Sequence, residues 1–346
     1  MKMNRLGRTD ITVSRISLGT MTFGEQNTEA EGHAQMDMAI DHGVNFLDSA
    51  EMYAFPASAE TYGRSEEIVG SWMKARGNRA EVVVATKIAG PGARFAHIRD
   101  GDLKFNRDHM VQAVEDSLRR LQTDYIDLYQ THWPERPANY FGKLGYEHDT
   151  GTDFTPFDEV LEAMRTVQNA GKVRAFGVSN ETPWAVMDLL RRADADGLPR
   201  MVTVQNPYSL INRSFEVGLA EIAIREDCGL FAYSPLGFGA LSGKYLNGAL
   251  PDGSRIKLFP NFQRNFTPRA VEATARYVAL ARDHGLDPAQ MAIAFVNSRD
   301  FLTSTIIGAT SLGQLATNLA AEEMVLAPEV LDAINAIHKD IPNPAP

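Results

Sequence analysis

Residues 44–53 read Val44-Asn45-Phe46-Leu47-Asp48-Ser49-Ala50-Glu51-Met52-Tyr53. A short apolar run ends on an aspartate, and a tyrosine follows after a few residues. Two later stretches are built alike and end on Lys87 and His132: Val82-Val83-Val84-Ala85-Thr86-Lys87 and Tyr125-Ile126-Asp127-Leu128-Tyr129-Gln130-Thr131-His132. Each run is too short for a free-standing helix and precedes a helical pattern, which is how buried parallel strands in βα units read. Ligands of such sheets sit beyond the strand carboxyl ends, so Asp48, Tyr53, Lys87 and His132 are the candidate catalytic residues.

Working outward, the pattern places strands near 16, 45, 82, 125, 173, 201, 229 and 303, with helices over 29–42, 65–74, 107–121, 157–170, 183–195, 217–227 and 268–284. Asn106 and Thr182 sit where N-caps belong, and Gly43, Gly171, Gly229 and Gly285 where helices end. Eight βα units predict an α/β fold, a single (β/α)8 TIM barrel, over a doubly wound sheet. A short hairpin, with its turn at Gly7 and Thr9-Asp10, occupies 1–14. The barrel and its C-terminal helices take 15–340, and 341–346 form a tail. Long loops follow the fourth strand, from Trp133 to Pro156, and the seventh, within the 74 residues from 229 to 303. Long loops in a compact domain are usually functional. The first carries Trp133, Tyr140, Phe141 and Tyr146, a candidate substrate wall. The second carries Lys244, Arg255, Lys257 and Arg264, a candidate basic clamp.

The chain has 346 residues, 44% hydrophobic and 23% charged, an ordinary globular composition. Only the Pro-Asn-Pro-Ala-Pro ending suggests disorder. Its net charge of −10, with no stripe of Lys or Arg, argues against nucleic acid as a partner. Cys228 is the one cysteine, so no intramolecular disulfide can form, and it reads as an inert packed thiol. No apolar stretch of about 18 residues and no apolar leader is present, so the expectation is a cytoplasmic protein with no membrane contact. Oligomerisation is left open by the sequence.

Singly, the four candidates have plain readings: Tyr53 a packed aromatic, Asp48 a turn residue, Lys87 a solvated cation, His132 a core histidine. Together on successive strand ends they form a proton-transfer set. Tyr53 can give a proton to a carbonyl oxygen, Lys87 can lower the phenol's pKa, Asp48 can hold Lys87, and His132 can orient the oxygen. No nucleophile is evident: there is no Gly-x-Ser-x-Gly elbow and no His-x-His or Glu-x-x-His pair for a metal. A hydride from a reduced nicotinamide fills that gap.

At these residues the chain resembles the aldo-keto reductase family, whose members are (β/α)8 barrels that use NADPH without a Rossmann domain. Gly43-Val44-Asn45-Phe46-Leu47-Asp48 with Tyr53, Asp124 to Pro134, and Gly177-Val178-Ser179-Asn180 look like its three motifs. Gly19 to Gly24, Gln205 to Arg213 and Phe238 to Gly248 look most like its bacterial Tas-type reductases and, more distantly, potassium-channel beta subunits.

The resemblance implies that Asp48, Tyr53, Lys87 and His132 are the family tetrad. It implies that Ser179, Asn180 and Gln205 hold the nicotinamide carboxamide while Tyr233 stacks on the ring. Ser234, Pro235, Leu236 and Lys244 would wrap the pyrophosphate. Gly308, Thr310, Gln314 and Asn318 would hold the adenosine end, and Thr20, Met21 and Gln26 would close the other side. Gly237-Phe238-Gly239-Ala240-Leu241-Ser242 nearly spells a dinucleotide fingerprint but lies late in the chain and ends in Ser, so it reads as a loop. Ala309-Thr310-Ser311-Leu312 has no basic residue for a 2′-phosphate, so NADPH over NADH rests on Lys244 and Arg255. The expected function is reduction of a small aldehyde or ketone. A nucleotide-binding regulatory module and a metal-dependent hydrolase are the competing readings, disfavoured by the intact tetrad and by eight scattered histidines.

Overall fold

The computed structural model describes residues 1–151 and 153–346. A hairpin of β1 (Met3–Arg5) and β2 (Thr12–Ser14) precedes eight parallel strands: β3 (Ile16–Gly19), β4 (Phe46–Asp48), β5 (Val83–Ile88), β6 (Ile126–Thr131), β7 (Val173–Ser179), β8 (Met201–Pro207), β9 (Gly229–Tyr233) and β10 (Leu302–Ile307). They close into a barrel in the order β10-β3-β4-β5-β6-β7-β8-β9. Outside lie α1 (Glu29–Asp41), α2 (Arg64–Arg76), α3 (Arg107–Leu121), α4 (Phe157–Asn169), α5 (Pro183–Asp196), α6 (Phe215–Arg225), α7 (Arg255–Leu258), α8 (Pro268–Asp283), α9 (Pro288–Asn297), α10 (Leu312–Ala320) and α11 (Pro328–Asp340). The expected (β/α)8 barrel with an N-terminal hairpin is what the chain forms.

Alternation along the strands divides the core in two. Outward residues such as Leu47, Val84, Tyr129, Phe176 and Leu230 pack against the helices. Inward residues Phe46, Val83, Ala85, Leu128, Ala175, Phe231 and Ile306 fill the lower barrel, where Leu6, Ile11 and Val13 of the hairpin plug the end. One or two steps further along each strand, the same parity points Asp48, Lys87, Gln130, Ser179 and Tyr233 inward. In β8 the pairing slips between Phe176↔Met201 and Val178↔Val204, so Val202 packs with the plug while Gln205 still reaches the upper layer. A bulge that re-aims one side chain does this.

Four local expectations need correction. Asn106 caps α3 by accepting from the His109 N–H at 3.0 Å, but the Thr182 side chain makes no capping bond to α5. Its hydroxyl instead accepts from Arg136. Gly43, Gly171 and Gly285 adopt left-handed backbone after their helices, whereas Gly229 opens β9, where a Cβ would collide with Thr303 Oγ1. Helix α9 was not foreseen, because it is buried all round and has no amphipathic period to read. Its Asp287-Pro288 start was the available signal, and the Asp287 carboxylate caps the N–H groups of Ala289 and Gln290. The proline-rich ending is tied down: Asn343 accepts from the Arg213 N–H, Pro344 from the Thr267 hydroxyl, and Ala345 donates to Ile211.

Candidate active site

The upper barrel layer is polar and closely coupled. Lys87 is fully buried at the end of β5, and Nζ donates to Asp48 Oδ2 at 2.7 Å and to the Ser49 carbonyl at 2.6 Å. Asp48 Oδ1 accepts from Gln205 Nε2 at 2.8 Å. The ammonium lies 5.3 Å from the centre of the Tyr53 ring, which meets the His132 ring edge to face at 5.5 Å. The sequence motifs therefore do bring all four residues together.

Protonation in this layer follows burial. The Tyr53 phenol is pushed well above its usual range by burial, then by the Asp48 carboxylate, with Tyr233 adding and Arg255 opposing. The net result corrects the expectation of an acidified phenol: burial and Asp48 outweigh the nearby Lys87 ammonium. Burial lowers Lys87 against the pull of Asp48. His132 lies well below the usual histidine range, through burial and then through Lys87, so its ring is neutral. Its Nδ1 is buried without a partner. A protonated phenol and a neutral imidazole thus flank one spot above the ammonium–carboxylate pair.

That spot opens into a cavity of about 1250 Å³. Asp48, Tyr53 and His132 line it, and Lys87 lies behind them. Of the expected cofactor residues, Met21 and Gln26 line one side; Ser179, Asn180, Gln205 and Tyr233 line the floor. Ser234, Pro235, Leu236, Lys244 and Arg255 follow along the β9 loop, and Gly308, Thr310, Gln314 and Asn318 lie beyond β10. Thr20 does not reach the cavity. Its hydroxyl is fully buried between the Asp48 carbonyl and Ser65, because β3 turns it away from the opening.

The floor is held by its own bonds. Tyr233 donates to Asn180 Oδ1 at 2.6 Å, Asn180 Nδ2 donates to the His132 carbonyl at 2.8 Å, and Ser179 donates to the Gln205 carbonyl at 2.8 Å. Asn180 takes a left-handed backbone, φ 55°, which asparagine tolerates.

Trp133, Tyr140 and Phe141 line the other side as a wall. Trp133 is anchored by its Nε1 donating to the Pro91 carbonyl at 3.0 Å and by Phe95 at 5.0 Å between ring centres. Tyr146 is exposed and outside the cavity, as is Lys257, which pairs with Asp252. Arg264, named with the basic clamp, lines it, and so does Arg94, which was not singled out. Among the described residues none of Arg94, Lys244, Arg255 and Arg264 has a carboxylate within 4.0 Å, and the Arg255 guanidinium lies over the Phe238 ring at 5.1 Å. Isolated arginines carry no motif, so only the folded loops could show their convergence. No group of three or more His, Cys, Asp or Glu is placed to hold a metal among the described residues, and no helix there is long and apolar enough to cross a membrane.

The model of the Aldo/keto reductase family matches residues 15–339. The chain is 49% identical to the protein named tas of Escherichia coli (strain K12) over the full length of both. It is 33% identical to an uncharacterized oxidoreductase, YrpG, of Bacillus subtilis (strain 168), covering 97% of this chain and 96% of that one. It is 31% identical to a probable voltage-gated potassium channel subunit beta of Arabidopsis thaliana, covering 99% and 98%. With this match spanning the barrel and the cavity at its carboxyl end, the chain belongs to the aldo/keto reductase family and is an NAD(P)H-dependent oxidoreductase.

Proposed function

We propose that the enzyme reduces an aldehyde or ketone to the alcohol with NADPH, Tyr53 giving the proton. The observation that supports this most is the pairing of a phenol kept protonated by burial with a neutral His132 at the cavity floor, backed by Lys87 and Asp48. The bound nicotinamide supplies the hydride. The chain supplies the rest: the His132 N–H and the Tyr53 hydroxyl converge on the carbonyl oxygen, and Tyr53 transfers its proton as the alkoxide forms. The phenolate left behind stands beside the Lys87 ammonium, which stabilises it until it is reprotonated. The raised pKa keeps the phenol protonated at neutral pH, the form that reduction needs, whereas alcohol oxidation needs the phenolate as base.

The residues present suit an anionic dinucleotide. Lys244, Arg255 and Arg264 line one loop side of the cavity, without carboxylate partners among the described residues, and Gln26 Oε1 is buried unsatisfied there. Lys244 and Arg255 would set the preference for the 2′-phosphate, the Tyr233 ring would face the nicotinamide, and Gln205 with Ser179 and Asn180 would take its carboxamide. Trp133 and Tyr140 would bound the carbonyl substrate. The buried Cys228 thiol, pushed up to about 12 by burial, fits a cytoplasmic setting. The test is Tyr53→Phe: turnover of a generic aldehyde should fall at least ~100-fold with NADPH binding unchanged. A variant keeping a tenth of wild-type single-turnover rate removes Tyr53 from this role.

A further inference from the structure

Two carboxylates outside the cavity are fully buried beside the site, Glu51 and Glu66. Glu51 lies two residues before Tyr53. Its Oε1 accepts from the Ala89 N–H at 2.6 Å, two residues beyond Lys87. Both its oxygens are held by the Arg99 guanidinium, at 2.7 and 2.8 Å, and Tyr62 donates to Oε2 at 3.4 Å. The Arg99 side chain is 3% exposed, and its backbone is left-handed at φ 44°, which a non-glycine residue keeps only when its surroundings hold it. Glu66 is bonded to Thr86 and to Arg120 Nε at 2.6 Å, and Arg120 covers the Tyr62 ring at 4.9 Å. These groups form one connected network behind the ends of β4 and β5.

We infer that the Glu51–Arg99 pair is a positioning element that sets the separation of Tyr53 from Lys87. It rests on the reductase reading above. One carboxylate spans the turn that carries the phenol and the strand end that carries the ammonium, and the two-pronged guanidinium fixes that carboxylate in plane and direction. The backbone repeats the tie more weakly, the Glu51 N–H donating to the Lys87 carbonyl at 3.2 Å. Neither Glu51 nor Arg99 lines the cavity, so any effect on the reaction passes through Tyr53 and Lys87. Small misplacements of reacting groups cost large factors in rate.

The experiment compares Arg99→Met, Arg99→Lys and the double variant Glu51→Gln/Arg99→Met with wild type, using a generic aldehyde and NADPH. The double variant leaves no unpaired buried charge and keeps an acceptor for Ala89, so it provides a folded protein where Arg99→Met is too unstable. Measured well below each melting midpoint, kcat should fall about 10- to 100-fold in Arg99→Met and in the double variant, with NADPH affinity by fluorescence within about twofold of wild type. The basic limb of the kcat profile should move, and Arg99→Lys should recover part of the rate. Lower melting temperatures with unchanged kcat would make the pair structural only and overturn the inference, as would an equal loss in NADPH affinity. A wild-type protein that oxidises no NADPH with any aldehyde would instead overturn the reductase reading and the inference with it.

Discussion

Replacing Lys87 by methionine removes the one charge that stands between Asp48 and Tyr53. The side chain is of similar length, so the fully buried slot stays filled while Asp48 Oδ2 and the Ser49 carbonyl lose their shared donor. A unit charge 5.3 Å from the ring is worth about 3 kcal/mol at an effective dielectric near 20, or about two pKa units on the phenol. If roughly half of that charge interaction is felt in the transition state, the loss is about 1.5 kcal/mol, roughly tenfold in rate. The uncompensated Asp48 carboxylate adds to it, so a 10- to 100-fold loss is expected, with the basic limb moved up because the phenol becomes harder to ionise. Asp48→Asn should act in the same direction but more weakly, because Lys87 keeps the Ser49 carbonyl and no stray carboxylate is left. The assay is single-turnover oxidation of NADPH by an aldehyde, followed by stopped flow across the alkaline range. A Lys87→Met rate within twofold of wild type, on an unmoved limb, would refute the reasoning.

Two more outcomes follow from the geometry. His132 titrates well below its unfolded value, so as pH falls below about 6.5 the unfolded chain takes up a proton that the fold refuses. Stability should drop there by up to about 1.4 kcal/mol per pH unit, and urea melts of His132→Gln should show a flatter profile over that range; parallel profiles would mean the ring is not buried neutral. Lys244→Ala or Arg255→Ala should weaken NADPH more than NADH, most at low salt, in a fluorescence titration of both cofactors. Equal losses would assign these cations to the pyrophosphate or the fold.

Much of this site was legible because its residues end short apolar runs, and strand parity does the rest: Phe46 and Ala85 inward place Asp48 and Lys87 inward. What the sequence hides are long-range and all-round effects. Glu51 and Arg99 are 48 residues apart and each reads as a solvated charge until the chain folds. The direction of the Tyr53 shift depends on how much water the neighbouring loops exclude, which a motif does not encode. Thr20 sits within a motif yet faces Ser65, because β3 gives way there to a turn whose direction the motif does not specify. Arg94 comes to the cavity on a loop with no period to read.

The hairpin plug bears on how protons travel. Leu6, Ile11 and Val13 seal the lower barrel, and an apolar layer of Phe46, Leu128 and Phe231 lies between them and the polar layer. That layer separates the fully buried Lys87 ammonium from the closed end of the barrel. On the proposed role of Tyr53, the proton it gives up would be replaced from the cavity it lines, past whatever ligands occupy it. On that role the barrel is a blind alley for solvent, and restoring the donor would be tied to the departure of product rather than to the chemical step.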